Sequence, residues 1–170
     1  MDTNFFKSTE SNPYHLSVEA VLVNENKDVC CHYFETFTPP EDPVVLDDFY
    51  ILMRETLENG ESLEGAVLRG IKEEFGAKGN ISAYLGSIKS GFDRNGRRME
   101  KTTVYFLIES TEFDLANREK DDEERISEIQ WQTFDFLISK MKAQGERYKN
   151  RTDLDESIIL ERAKNSLYKL

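Results

Sequence analysis

A short stretch of this chain gathers four side chains of types that bind divalent cations or hold the groups that do. They are Glu61, Arg69, Glu73 and Glu74. Carboxylate oxygens are the ligands that hard cations such as Mg2+ and Mn2+ take. A guanidinium fork pairs with carboxylates and can fix their orientation. The residue types therefore favour a divalent-cation site, while the plain alternative for a Glu-Glu pair is a solvated helix face.

The elements that would position these side chains begin with one helix. Ser62 is a preferred N-cap and Gly76 a preferred terminator, so the sequence predicts a helix between them. At a helical period its apolar side chains form one stripe, which consists of Leu63, Val67, Ile71 and Phe75. Glu74 points into that stripe, and Glu73 lies at its edge, one turn from Arg69. Because burying an unpaired carboxylate is costly, we expect a cation to accompany Glu74.

The segment from Glu55 to Ala77 resembles the Nudix box. That box reads Gly, five residues, Glu, seven residues, Arg-Glu, an aliphatic residue, any residue, Glu-Glu, any residue, Gly and an aliphatic residue. The matching positions here are Glu61, Arg69, Ile71, Glu73, Glu74 and Gly76. Two positions depart from the box. Glu55 stands where the box has its opening Gly, and Gly70 stands where it has the Glu of Arg-Glu.

The resemblance covers roughly residues 16–142 and implies both a fold and a chemistry. The implied fold class is α/β, a Nudix-type α/β/α sandwich with a mixed β-sheet between helices. The implied reaction is hydrolysis of a nucleoside diphosphate linked to another group, or of a related small-molecule diphosphate, with Mg2+ (or Mn2+) as cofactor. In that scheme Glu73 and Glu74 hold the metal, Glu61 supports the site and Arg69 fixes the carboxylates.

Gly70 leaves the implied site one carboxylate short, because the family's Glu at that position binds metal or helps to activate water. Three outcomes are open: catalysis with fewer metals, replacement by another carboxylate, or a weak or inactive protein that binds a nucleotide or phosphorylated ligand. Glu55 is a candidate replacement, and we count it with Glu73 and Glu74 as a metal ligand. Further candidates lie in the acidic run, at Asp121, Asp122, Glu123 and Glu124.

A basic cluster precedes the β-branched and aromatic segment at residues 102–108. It contains Arg94, Arg97, Arg98 and Lys101. Basic loops are commonly no more than solvated, but guanidinium groups also pair bidentately with phosphate oxygens. Against a net charge of -11, the cluster favours phosphate recognition. We expect these four residues, together with Arg54 beside the box, to bind the substrate.

The overall charge narrows the classes of partner. A net charge of -11 argues against a nucleic-acid polymer and against an anionic membrane surface. The only cysteines, Cys30 and Cys31, are adjacent, which is typical of reduced strand residues. No basic leader or membrane-length apolar run is present, so the sequence predicts a cytoplasmic protein. A homodimer is left open.

The remaining pattern predicts one domain over residues 13–170 after a flexible arm at residues 1–12. The predicted strands cover residues 15–23, 29–37, 44–53, 79–90, 102–108 and 126–131. A turn-rich loop is predicted at residues 91–98, and helices are predicted to begin at residues 133 and 153. His15 and His32 fall on strands and are expected to be structural or exposed.

Overall fold

A mixed β-sheet lies at the centre of the fold in this computed structural model, which describes residues 3–39, 42–119 and 126–169. The strands are β1 (Tyr14–Val23), β2 (Val29–Phe37), β3 (Leu46–Ile51), β4 (Met53–Thr56), β5 (Ala77–Arg94), β6 (Arg97–Phe113) and β7 (Glu128–Gln132). The helices are α1 (Leu63–Phe75), α2 (Phe134–Arg147) and α3 (Ser157–Tyr168).

The sheet has its strands in the order β3-β2-β1-β6-β5, with β4 also paired to β1 and β7 also paired to β2. Strands β1 and β6 run parallel, and the other pairs are antiparallel. The central strand β1 is covered on both faces, which explains its continuous apolar run from Ala20 to Val23.

Helices cover both faces of the sheet. Successive side chains of a strand point to opposite faces, so β1 sends Ala20 and Leu22 into the core under α1. Val21 and Val23 enter the other core, which α2 and α3 close with Leu137 and Leu160 among others. This arrangement confirms the predicted α/β/α sandwich with a mixed sheet.

Two predicted elements have different bounds in the structure. The single strand predicted at residues 44–53 is wrong, because β3 pairs with β2 whereas β4 pairs with β1. At Leu52 the chain leaves β2 and begins to pair with β1, so residues 44–53 do not form one continuous strand. The last helix begins at Ser157 rather than at residue 153, since a short 3-10 turn at Thr152–Leu154 comes first.

The loop predicted at residues 91–98 is also wrong. Strands β5 and β6 continue through it as far as the pair Arg94 and Arg97. The turn consists only of Asn95 and Gly96, whose φ angles are 50° and 73°. Positive φ at both central residues is the type I′ geometry that Asn-Gly favours in hairpins. The arginines of this region therefore project from paired strands.

Residues 3–12, predicted as a flexible arm, lie along the start of β1 and the box. The Asn4 side-chain amide donates to the Leu57 carbonyl at 3.0 Å, and the Leu16 backbone N–H donates to the Phe6 carbonyl at 2.8 Å. The Ser8 backbone N–H donates to Nδ1 of His15 at 3.3 Å. These contacts bring Lys7 and Ser8 close to the first residues of the sheet.

Candidate active site

Helix α1 places the box residues on the faces that its sequence periodicity predicts. Ser62 caps its first turn, with its hydroxyl accepting the Gly65 N–H at 3.0 Å. Gly76 ends it at φ 62° and donates its N–H to the Lys72 carbonyl at 2.9 Å. With both ends fixed, Glu74 lies in the apolar face and is only 2% exposed.

Arg69 is the centre of a carboxylate cluster. Its Nε and Nη2 donate to the two oxygens of Glu61 at 2.9 and 3.0 Å. Its Nη1 donates to Glu73 at 3.3 Å and lies 3.2 Å from Oε1 of Glu55. Nη2 also donates to the Thr56 carbonyl at 3.2 Å, which ties α1 to β4. The structure thus brings Glu55, Glu61, Arg69 and Glu73 together, and Arg69 holds the pKa of Glu61 below its usual value.

Glu55 occupies the space beside Gly70. A Cβ placed on Gly70 would lie 3.1 Å from the Glu55 Cβ and 2.4 Å from the Met53 sulfur. The strand therefore fills, with its own side chains, the volume that a side chain at position 70 would enter. Burial raises the pKa of Glu55, and the charge of Glu73 adds to this effect against the opposing pull of Arg69.

Glu74 has a partner that the sequence reasoning missed. Its Oε2 lies 2.7 Å from Nε2 of His32, whose Nδ1 lies 2.8 Å from the Ser127 hydroxyl. The Ser127 oxygen accepts a hydrogen bond from Nη2 of Arg118 at 2.9 Å. The pKa of Glu74 is raised well above its usual value by burial, and the nearby Glu55 raises it further. The available signal was the period-two pattern of β2, which places His32 on the same face as Cys30, under α1.

Two of the predicted substrate-binding residues lie in interior ion pairs. The Arg54 guanidinium lies 3.4 Å from Glu19, 3.0 Å from Asp153 and 3.4 Å from Glu156. Lys101, only 5% exposed, places its Nζ 2.8 Å from Glu19. Arg54 and Lys101 therefore neutralise buried carboxylates between the sheet and the α2–α3 connection.

The other predicted cations are spread along the β5–β6 hairpin. Arg94 donates from Nη1 to the Ser8 carbonyl at 3.1 Å and lines a pocket together with Thr56. Arg97 donates to the Glu10 carbonyl, and Arg98 donates to Asp93 at 3.4 Å, both at the exposed end of the hairpin. The structure does not gather the five residues at one point; Arg94 lines a pocket together with Thr56, whose carbonyl accepts a hydrogen bond from Arg69.

Residues 13–152 match the family described as NUDIX domain. This chain belongs to the Nudix family. It is 31% identical over 91 residues to the putative mutator protein MutT4 of Mycobacterium tuberculosis, a match that covers 54% of this chain and 35% of that protein. The chain thus spans about a third of the length of that curated relative, by the same match.

Solved Nudix structures share the fold at low sequence identity. The MutT protein from Methanosarcina mazei superposes with a TM-score of 0.56 at 18% identity, covering 95% of this chain and 100% of that one. The NUDIX hydrolase from Nitrosomonas europaea gives a TM-score of 0.55 at 16% identity, covering 80% of this chain and 90% of that one. In the part of the chain that the structure describes, no helix is long and apolar enough to cross a membrane.

Nudix proteins generally use divalent metal ions, and the donor types in this cluster fit such an ion. Glu55, Glu73 and Glu74 offer hard oxygen ligands, and Oε1 of the buried Glu74 has no hydrogen-bond partner among the described residues. In the present arrangement Arg69 engages Glu55 and Glu73, and residues 3–39, 42–119 and 126–169 contain no metal-ready group of three or more His, Cys, Asp or Glu side chains. To bind, the ion would therefore have to replace Arg69 as the partner of Glu55 and Glu73. The acidic-run candidates Asp121 to Glu124 lie outside the described residues.

Proposed function

We propose that this Nudix protein is a metal-dependent hydrolase of a nucleoside diphosphate linked to another group, or of a related diphosphate compound. The observation that carries the proposal is the convergence of Glu55, Glu61 and Glu73 on Arg69. The buried Glu74 follows at the next position of the same helix. These four carboxylates come from one strand, one loop and one helix. A Glu-Glu pair on a solvated helix face would not account for this convergence.

Each side chain has a distinct task in this proposal. Glu73, Glu74 and Glu55 would hold Mg2+ (or Mn2+), which when bound neutralises phosphate charge and lowers the pKa of water. Arg69 fixes the loop before α1 through its bidentate contact with Glu61, and it ties α1 to β4 through the Thr56 carbonyl. His32 orients Glu74 through Nε2. The Arg54 N–H donates to Glu74 Oε2 at 3.4 Å, which holds the strand against the helix.

The exchange between positions 55 and 70 supports an active site rather than an abandoned one. The box has Gly at the first position and Glu at the second, and this chain has the reverse. Glu55 lies where a side chain at position 70 would project, since the two Cβ positions would be 3.1 Å apart. We infer that Glu55 supplies from β4 the carboxylate that α1 lacks.

A binding function is the second candidate, and one observation favours it. Arg69 already engages Glu55, Glu61 and Glu73, while Glu74 is paired with His32. An ion must compete with these contacts, which would lower its affinity. In this second reading the Nudix fold binds a nucleotide or phosphorylated ligand and hydrolyses it weakly or not at all.

A panel of nucleoside diphosphate derivatives, assayed with Mg2+ and with Mn2+, separates the two candidates. The hydrolase proposal predicts release of phosphate or of a nucleoside monophosphate, and it predicts that Glu74→Gln abolishes this release. A silent panel in which a ligand still raises the melting temperature would favour the binding function. If neither metal nor ligand changes the melting temperature and no product forms, both candidates fail.

We further propose that the protein is cytoplasmic. Cys30 and Cys31 are both buried free thiols, which supports a reducing compartment. A search for the protein in fractionated cells tests this location.

A further inference from the structure

Strand β4, which carries Glu55, is short and pairs on one side only. Among the strands that the structure describes, its four residues pair with β1 alone, between Ser17 and Ala20. Successive side chains of a strand point to opposite faces, so Glu55 faces α1 whereas Arg54 faces the layer of α2 and α3. The place of Glu55 in the candidate site therefore depends on what holds β4 from the far side of the sheet.

The Arg54 guanidinium is held at three points by the connection between α2 and α3. Its Nη1 donates to Oδ2 of Asp153 at 3.0 Å, and its Nη2 donates to the Asp153 carbonyl. Nη2 also lies 3.4 Å from Oε2 of Glu156. Asp153 and Glu156 are both buried. A planar guanidinium that is bound at several atoms has a fixed orientation, which the single ammonium group of a lysine would not give.

The two acceptor residues are fixed in turn by other groups. Arg151 donates from Nε and Nη2 to the two carboxylate oxygens of Asp153, at 2.9 Å each. Glu156 accepts the Tyr105 hydroxyl at 3.1 Å through Oε1 and the Leu52 N–H at 3.3 Å through Oε2. Because Leu52 directly precedes β4, Glu156 also holds the entry to this strand.

Both acceptor carboxylates are charged at neutral pH. Burial alone would raise the pKa of Asp153, but the hydrogen bonds and charge of Arg151, followed by the charge of Arg54, lower it below its usual value. Burial also opposes the ionisation of Glu156, yet the charge of Arg54 and the contact with Glu19 lower its pKa. Removing the guanidinium would leave two buried charges without this partner, which is strongly destabilising.

The backbone of Arg54 reaches the opposite face of the sheet. Its N–H donates to Oε2 of Glu74 at 3.4 Å, and the next residue is Glu55, whose Oε1 lies 3.2 Å from Arg69. Position 54 thus connects the network behind the sheet with two of the carboxylates that would hold the metal. A misplacement of about 1 Å in an active site can cost about 100-fold in rate.

We propose that Arg54 is a positioning residue for the metal-binding carboxylates Glu55 and Glu74. Its contacts with Asp153 and Glu156 set the place of β4, and β4 sets the place of both carboxylates. This chain carries one carboxylate on a short strand rather than on α1, so the strand needs an anchor of its own. The role rests on the proposed function, because it supposes that Glu55 and Glu74 bind a divalent ion.

The test measures Mn2+ affinity in the full chain, from the electron paramagnetic resonance signal of free Mn2+, below the melting temperature of each variant. The variants are Arg54→Lys and Asp153→Asn. Lysine keeps the charge of Arg54 but not its fork, and asparagine keeps the shape of Asp153 but not its charge. Each should weaken Mn2+ binding about ten-fold, the size of effect expected when groups that orient a metal ligand are lost.

The matched control is Leu137→Ala, which removes a buried apolar side chain of α2 in the same layer. It changes no residue that contacts Arg54. The cavity should lower the melting temperature, while the Mn2+ affinity should change less than about two-fold.

A purely structural role would give a different result. The proposal is overturned if Arg54→Lys and Asp153→Asn lower the melting temperature but bind Mn2+ as tightly as Leu137→Ala does. It is also overturned if neither variant folds, because the network would then serve the fold alone, or if wild type binds no Mn2+. If only one of the two variants folds, its Mn2+ affinity decides.

Failure of the proposed function can be told apart from failure of this role. A protein that hydrolyses no diphosphate, yet binds Mn2+ with a dependence on Arg54 and Asp153, keeps the positioning role and loses the hydrolase assignment. Hydrolysis that depends on Glu74, with Mn2+ affinity unchanged in both variants, keeps the hydrolase and loses the positioning role.

Discussion

Glu74 and His32 are a buried pair whose members depend on each other. Their oxygen and nitrogen are 2.7 Å apart, and their side chains are 3% and 1% exposed. Taking one member away from such a pair leaves the other without compensation in a low-dielectric site, whereas apolar replacement of both is often neutral or stabilising. The second oxygen of Glu74 already has no partner among the described residues, which increases its dependence on His32.

We therefore predict that His32→Leu lowers the free energy of unfolding by about 3 kcal/mol. The double variant His32→Leu/Glu74→Leu should be more stable than His32→Leu alone, because no buried carboxyl group is then left unpaired. Urea unfolding of the wild type, both single variants and the double variant gives the coupling energy. Additive effects of the two substitutions would contradict the pairing.

At the scale of elements, the close approach of α1 and β4 depends on Gly70. Alanine is intrinsically the better helix former, by about 1 kcal/mol. A Cβ at this position, however, would meet the Met53 sulfur at 2.4 Å, and Met53 is completely buried. Packing should win over propensity here, because the methionine has no solvent into which it can move.

Gly70→Ala should accordingly lower the free energy of unfolding by about 1–3 kcal/mol. In a Met53→Ala background the same substitution should cost much less or become favourable, because the space is then open. A double-mutant cycle measured by denaturant unfolding should give a coupling of about 1 kcal/mol or more. A stabilising Gly70→Ala in the wild-type background would exclude the steric account.

The features that the sequence predicts are those that depend on neighbouring residues in the chain, such as helix ends, helix faces and tight turns. The bounds of α1 followed from Ser62 and Gly76, and its periodicity buried Glu74. The β5–β6 turn is also encoded locally, by Asn95-Gly96, but the polar residues around it favour a longer loop until the pairing of the two strands is known. The split between β3 and β4 was not accessible in this way, since it depends on which strand each segment pairs with.

The contacts of the candidate site are likewise of two kinds: some follow from spacing along one helix, and others depend on how separate elements pack. Spacing on one helix relates Arg69 to Glu73, and the box resemblance adds Glu61. The proximity of Glu55 to Gly70 and of His32 to Glu74 depends on how β4 and β2 pack under α1. Both contacts depend on tertiary structure, so the sequence leaves the replacement by Glu55 as an open alternative and does not predict the pairing of His32 with Glu74.

Across the whole molecule, charge is unevenly distributed, and several positive side chains lie close together on this negatively charged chain. The net charge is -11, yet beyond the effect of burial Lys101, Arg94 and Lys7 all lower the pKa of His15, and Lys101 is its direct neighbour across the β1–β6 pair. This distribution has a consequence for stability. The pKa of His15 is lowered to about 4 in the folded protein from an ordinary value of 6.5.

Between these two pKa values the unfolded chain binds the proton and the folded protein does not, so stability falls as the pH falls. The contribution of His15 is fully present above pH 6.5 and is lost toward pH 4. From pH 7 to pH 5 we predict that wild type loses about 2 kcal/mol more than His15→Gln. Urea unfolding at both pH values measures this difference, and equal losses in the two proteins would show that His15 titrates normally.

In the proposed active site, Glu55 supplies the carboxylate ligand that is missing at Gly70. The most direct measurement is Mn2+ binding, followed by the electron paramagnetic resonance signal of free Mn2+, for wild type, Glu55→Gln and Glu58→Gln. Glu58 is the matched control, because its side chain is 65% exposed and reaches Arg69 only at 4.0 Å. We predict that Glu55→Gln weakens Mn2+ binding about ten-fold or more, whereas Glu58→Gln changes it less than about two-fold. Equal Mn2+ affinity in wild type and Glu55→Gln would show that Glu55 is not a ligand of the ion.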